Sequence, residues 1–202
     1  MFTKFARGAS LLALAVAAVG CSDSPTEPQA FEEWPVDPAV SAVALSRGAE
    51  YAEPITVSQV IGREGGTIEM PQTGLTLVVP RGAVDHDLTF TITTVPGDML
   101  AYDFGPHGTQ FNKPLRIIQR LELTGWAAVG RPGRIEAGYF PSPSDVDAES
   151  GEVRVESFLP VVVDPQMETA SFRVKHFSGY MLSTGRRNST GSAENNVEGT
   201  DL

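Results

Sequence analysis

The stretch "GGTIEMPQTGLTLVVPRGAV", Gly65 to Val84, decides how this chain folds. It holds two short runs rich in β-branched and aliphatic residues, "GGTIEM" and "GLTLVVP", with a polar turn sequence between them. Around Thr76 to Val78 polar and apolar side chains alternate, the period of a strand with one buried face. Glycines there permit the positive φ of tight turns. Pro80 stands at a strand end, where its missing N–H spares the ladder a hydrogen bond. The same punctuation continues outward: "ITVSQVIG" precedes, and "LTFTITTV", "KPLRIIQRLEL", "GRIEAGYF", "GEVRVESFLPVVV" and "TASFRVKHFSGYML" follow. Alternation recurs from Thr89 to Thr93 and from Val153 to Val155, and no stretch sustains a helical period with caps. Many short strands with turn signals between them predict an all-β fold, a single antiparallel β-sandwich. It is expected over residues 55–184, enough chain for one domain with its own core.

The ends read differently. Lys4 and Arg7 give a basic start, and "SLLALAVAAV" is an apolar run too short for a permanent membrane helix. "AAVGC" then places small residues ahead of Cys21, the layout of a signal peptide over residues 1–20. Cys21 is the one cysteine of the chain, so it has no internal disulfide partner. "AVGC" resembles the bacterial lipobox, with Ala18 where Leu is usual. That resemblance implies a diacylated Cys21 as the new N-terminus, held in the membrane at ~0.8 kcal/mol per buried methylene. Ser22 after it implies sorting to the outer membrane. Residues 21–54 are rich in Pro, Glu, Ser and Ala and read as a disordered tether, Phe31 and Trp34 being its exceptions; residues 185–202 read as a disordered tail. Loss of Lys4 and Arg7 leaves 13 basic residues against 25 acidic ones, a net charge near -12. Such a chain is repelled by nucleic acid and anionic headgroups, so no nucleic-acid partner is expected and the lipid is the expected link to the membrane.

The folded middle also resembles a known family. The Gly65–Gly66 opening, Pro80 to Ala83, "GPHG" at Gly105 to Gly108, and Phe111 to Pro114 stand in the order found in the domain shared by ankyrins, netrin receptors and zona occludens proteins, the ZU-five domain. Bacterial envelope proteins with a similar domain end in "HFS-x-Y-x-L", matched by His176 to Leu182. The resemblance implies a β-sandwich used as an interaction module. It transfers the fold and leaves the ligand open.

His176, Phe177 and Ser178 carry a second implication. Self-processing relatives, and nucleoporin autoproteolytic domains, cut their own chain between Phe and Ser at this tripeptide. In that chemistry His176 takes the Ser178 hydroxyl proton, and the oxygen attacks the Phe177 carbonyl to give an ester that water hydrolyses. The competing reading is architectural. His176 and Ser178 are alternate residues of one strand and point to one face, and Phe177, Tyr180 and Leu182 fill core or edge positions.

Other candidates are weaker. His107 in "GPHG" lies between glycines with no second His or Cys at metal-ligand spacing, which favours a turn histidine over a ligand. Asp145, Asp147, Glu149 and Glu156 occupy places one, three, five and twelve of a calcium loop. Ser150 stands where that loop needs glycine, however, and the flanks read as strands, which favours a hairpin turn. There is no G-x-S-x-G elbow, P-loop or His-rich pattern, so neither cofactor nor metal is expected. The leading expectation is an outer-membrane lipoprotein whose sandwich binds another envelope protein or a glycan. Cleavage of its own Phe177–Ser178 bond is the alternative, which leaves enzymatic status open.

Overall fold

The alternation around Thr76 becomes a hairpin in the smaller of two sheets. The computed structural model describes residues 34–35, 40–126 and 134–188. In chain order its strands are β1 (Trp34–Pro35), β2 (Val40–Ala44), β3 (Ser46–Tyr51), β4 (Thr56–Ile61), β5 (Gly66–Met70) and β6 (Leu75–Val79). Then come β7 (Leu88–Thr94), β8 (Gly97–Met99), β9 (Ala101–Gly105), β10 (Gln110–Arg120), β11 (Glu136–Phe140) and β12 (Val146–Asp147). The last are β13 (Glu152–Arg154), β14 (Ser157–Pro160), β15 (Val162–Asp164), β16 (Thr169–His176) and β17 (Gly179–Asn188). Leu121–Leu123 and Pro143–Asp145 form single 3-10 turns, and no α-helix occurs among the described residues.

One sheet runs β15-β16-β10-β6-β5. The other runs β1-β14-β11-β17-β2-β13-β12, and β4, β7 and β9 join it through β17. β3 and β8 form a separate pair. Every pairing is antiparallel, as alternating patterns with short connections require. In the β5–β6 hairpin, Ile68 lies opposite Leu77 and Met70 opposite Leu75, so all four share the core face. Its turn closes on the Met70 carbonyl, which accepts from the N–H groups of Thr73 and Gly74, with Gly74 at φ 74.

The main core fills the space between the sheets. Leu75, Leu77, Leu115, Ile117 and Val174 come from the smaller sheet, and Phe90, Ile92, Phe104, Tyr180 and Leu182 from the larger. Each fully buried side chain of this size contributes ~1.5–3 kcal/mol. A second cluster covers the opposite face of the larger sheet: Ala42, Met99, Ala101, Phe140, Val153, Val155, Phe158 and Met181.

Three expectations change. Paired strands occur upstream of Ile55: β1 lies against β14, and the chain is in strands again from Val40. β2 pairs with both β17 and β13, and Ala42, Leu45 and Arg47 are buried, although the sequence groups them with the tether. The small side chains of "VSAVA" give little hydrophobic signal, and backbone pairing on both edges supplies what they lack. At the other end β17 runs four residues past Thr184, to Asn188. Thirdly, "TASFRVKHFSGYML" is two strands. β16 belongs to the smaller sheet and β17 to the larger, so the chain changes sheet at Phe177–Ser178. "GEVRVESFLPVVV" likewise divides into β13, β14 and β15. Cys21, the signal segment, residues 21–33 and 36–39 of the tether, and the tail beyond Asn188 lie outside the described residues.

Candidate functional site

The change of sheet leaves Phe177 and Ser178 outside both ladders, and side chains and loop backbone hold them instead. Phe177 is 1% exposed. Its ring meets Phe90 edge-on at 5.1 Å and Phe111 at 4.7 Å, and stacks on Phe104 at 5.6 Å. Aromatic pairs of this kind contribute ~0.5–1.5 kcal/mol each beyond their buried area, so Phe177 pins the crossover to the core. Its backbone is equally committed. The Phe177 N–H donates to the Thr109 carbonyl at 3.0 Å, and the Phe177 carbonyl accepts from the Gly108 N–H at 3.1 Å. The Ser178 carbonyl accepts from the Phe104 N–H at 3.0 Å.

The two polar members of the tripeptide face different neighbours. The Ser178 hydroxyl, on a residue 5% exposed, is directed at the carbonyls of Phe140 (3.2 Å) and Pro141 (3.4 Å) rather than at His176. The half-buried His176 ring stands edge-on to Tyr139 at 5.0 Å. The Tyr180 hydroxyl donates to the His176 carbonyl at 3.0 Å and lies 3.3 Å from Nδ1. The same-face geometry expected of one strand is therefore absent, because the crossover turns the backbone between the two residues. Among described non-glycine residues, Glu168 alone has a left-handed φ, of 49.

The turn that carries His107 docks against this crossover. Gly108 sits at φ 73 and donates to Phe177, and the Thr109 hydroxyl donates to the Pro106 carbonyl at 2.7 Å. His107 itself points outward, with Nε2 2.7 Å from Asp103 Oδ1. Two motifs distant in sequence thus form one site, and Gly108, which sequence reading took only as a turn glycine, is its link.

The acidic run does not gather around a point. The Asp145 carboxylate accepts from the Ser142 N–H at 3.1 Å and lies 3.6 Å from the Arg154 guanidinium. Asp147 Oδ1 accepts from the N–H groups of Glu149 and Ser150. Hydrogen bonds from the Ser150 side chain, and from these two N–H groups, hold the Asp147 carboxyl below its usual range. Glu149 and Glu156 are exposed, the latter beyond β13. Among the described residues no three His, Cys, Asp or Glu side chains converge as a metal site.

A buried polar chain crosses the core. Arg47 is 5% exposed, and its Nη1 and Nη2 donate to the carbonyls of Val95 (3.0 Å) and Ala101 (2.6 Å). The guanidinium lies over the rings of Tyr102 and Tyr51. The Tyr102 hydroxyl donates to Gln119 Oε1 at 2.9 Å, and Gln119 Nε2 donates to the Thr73 carbonyl at 2.6 Å. Sequence reading missed Arg47 because it falls in the stretch assigned to the tether. The cavity beside this chain, lined by Leu75, Leu100, Tyr102, Ile117, Gln119 and Phe172 among others, has about 10 Å³ of free space. That is room for about one water.

These features define a class: an antiparallel β-sandwich whose distinctive motifs meet at a sheet crossover. The family model of the ZU5 domain matches residues 57–98, from β4 into β8. This supports a ZU5-like domain in the chain, and with the sandwich fold it supports an interaction module. No curated protein matches the chain.

Proposed function

We propose that the protein is a lipid-anchored lipoprotein of the bacterial outer membrane, presenting its sandwich as a binding module for another envelope protein or a glycan. The observation that carries the module reading is the ZU5 match on a β-sandwich. The cavity beside Gln119 has space for about one water, so a protein segment or glycan does not enter there and would meet the outer surface. The anchor rests on the lipobox-like "AVGC" around Cys21. The test is the mass and partition of the mature protein. Wild type is expected in the membrane fraction with an acylated Cys21 as its first residue, and Cys21→Ser in the soluble fraction. A soluble, unacylated wild-type protein would sink the anchor.

One geometric observation favours self-cleavage as a second reading. The Gly108 N–H already lies on the carbonyl oxygen of the bond that would break, where a donor stabilises negative charge developing in the tetrahedral intermediate. Ser178 Oγ would leave the Phe140 carbonyl, pass its proton to His176 and attack the Phe177 carbonyl carbon. The C–N bond then breaks as His176 returns the proton to the Ser178 nitrogen, leaving an ester. Water hydrolyses that ester to a Phe177 carboxylate and a restored Ser178 hydroxyl. The cut strand would stay paired with β9, β11 and β2, so only a denatured sample reports the break. An intact mass in denaturant excludes the reaction; two fragments parting at Ser178, absent in Ser178→Ala, establish it.

A further inference from the structure

β4 is the sheet edge that this chain leaves unguarded. Among the described residues, β1, β3, β4, β5, β8, β12 and β15 each have a single neighbouring strand. Charges and prolines on such strands discourage pairing with another chain. All but β4 carry one: Pro35, Arg47, Glu69, Asp98, Asp147 and Asp164 in turn. β4 reads "TVSQVI", neutral throughout and rich in β-branched residues. Its ladder fixes which backbone groups face outward. The Thr94 N–H donates to the Ile55 carbonyl at 2.9 Å, next to the Thr56–Thr93 pair. Hydrogen-bonded and non-bonded pairs alternate along antiparallel strands, so Val57, Gln59 and Ile61 turn their backbone groups to β7. Thr56, Ser58 and Val60 turn theirs away, and no described residue bonds them. These residues are exposed, Val60 at 60%.

We propose that β4 pairs antiparallel with β4 of a second copy of this chain, about a two-fold axis through Ser58. In that register Thr56 opposes Val60 of the second copy, and Ser58 opposes its own counterpart. Every outward N–H and C=O of these residues then finds a partner. The faces match as well. Ile55, packed on the main core, opposes the buried Ile61 of the second copy, which carries the apolar face across the seam. Val60 gains a β-branched neighbour in Thr56 of the second copy. The flanking charges select a second copy over an unrelated strand. Glu53 and Arg63 are exposed and have no ion-pair partner among the described residues. They lie five residues either side of Ser58, so Glu53 meets Arg63 of the second copy and Arg63 meets its Glu53. Ion pairs thus close both ends of a neutral seam, in a chain whose net charge of -10 otherwise opposes association. Pro54, which has no N–H, stops the ladder there. The seam adds an assembly to the proposed module and does not depend on the module's ligand.

Sedimentation velocity of the full chain over a concentration series is expected to show a monomer–dimer equilibrium. Ser58→Pro removes an outward N–H without touching the β7 ladder, and Val60→Lys is a milder change that puts a charge on the edge. Each is expected to weaken the dimer at least about tenfold, with thermal melting as the check that both fold. Cross-linking reports the register. In a Cys21→Ser background, Ser58→Cys and Thr56→Cys are each treated with a short bifunctional thiol reagent. The two copies of position 58 have Cβ atoms ~5 Å apart, whereas the two copies of position 56 stand ~14 Å apart along the seam. Cross-linked dimer is expected for Ser58→Cys and not for Thr56→Cys. A chain that stays monomeric at every concentration would overturn the proposal, even if the edge captures a strand of another protein. A dimer indifferent to both edge variants, or cross-linked equally at both positions, would overturn this seam.

Discussion

The backbone N–H of Gly108 donates to the carbonyl oxygen of Phe177 at 3.1 Å, joining the turn after β9 to the point where the chain changes sheet. Gly108 has φ 73, and a Cβ there would meet nothing within 4 Å. Gly108→Ala is therefore a pure backbone substitution, expected to cost about 1 kcal/mol. Gly108→Pro removes the donor, leaving a buried carbonyl unsatisfied at about 1–3 kcal/mol, and its ring, which holds φ at about −65°, also forces the turn out of its conformation. Urea denaturation should rank wild type above Ala and Ala above Pro; equal midpoints for the two variants would show that neither the donor nor the positive φ at this position contributes to stability.

Gly179 opens β17 beside Phe140, its register partner on β11. A Cβ on Gly179 would collide with the Phe140 ring, which is fully buried. Gly179→Ala is expected to destabilise by about 1–3 kcal/mol through overpacking. Truncating the obstacle should reverse part of the loss, so the Gly179→Ala/Phe140→Leu pair is expected to be more stable than the sum of its single changes. Additive losses in a double-mutant cycle would show that the two positions do not collide.

The sandwich was legible because alternation at Thr76 to Val78 and Thr89 to Thr93 is a local pattern that survives folding unchanged. What the sequence hid were relations between distant segments. "VSAVA" resembles its Pro- and Glu-rich neighbours in composition, and only β17 and β13 on either side make it a strand. The run through His176, Phe177 and Ser178 has a strand's composition throughout, so nothing local marks the change of sheet. That change depends on three aromatic rings that grip Phe177 and on backbone partners from Phe104, Gly108 and Thr109. The tripeptide was visible as a motif, but the separation of His176 from Ser178 was not.

Tyr102 makes an alkaline prediction. Burial pushes its phenol above the ordinary 10.0, partly opposed by hydrogen bonding to Thr73 and by the nearby Arg47 charge. Below pH 10 both folded and unfolded chains hold the proton, and the group gives stability no pH dependence. Above it the unfolded chain releases the proton while the folded chain keeps it, so stability falls by up to about 1.4 kcal/mol per pH unit. Tyr102→Phe leaves Gln119 Oε1 without its donor and is expected to cost about 1–2 kcal/mol at neutral pH. It also removes the alkaline slope, so the two stability curves should converge above pH 10. Parallel curves would mean that Tyr102 ionises alike in both states.

Arg47 decides how firmly the N-terminal strands are held. Burial pulls its pKa down, with Tyr102 the chief opposing influence, and no carboxylate pairs with it among the described residues; Asp98 acts only at a distance. Its Nε is buried without a partner, so the guanidinium is only partly satisfied. Buried charges in that condition are often replaced by well-packed apolar groups with little loss. Arg47→Met keeps the apolar stem and removes both the charge and the orphaned Nε. Ala101 retains a donor in the Val95 N–H at 3.1 Å, leaving the Val95 carbonyl as the main casualty. Arg47→Lys keeps the charge but loses the planar contact with Tyr51 and Tyr102 and the paired reach to two carbonyls. The expected order of stability places Met above Lys, with Lys about 2 kcal/mol below wild type. Hydrogen exchange over residues 40–51 should accelerate most in the lysine variant. The reverse order would show that the cation itself, through its attraction to the two carbonyls and rings, fastens β3 to the body.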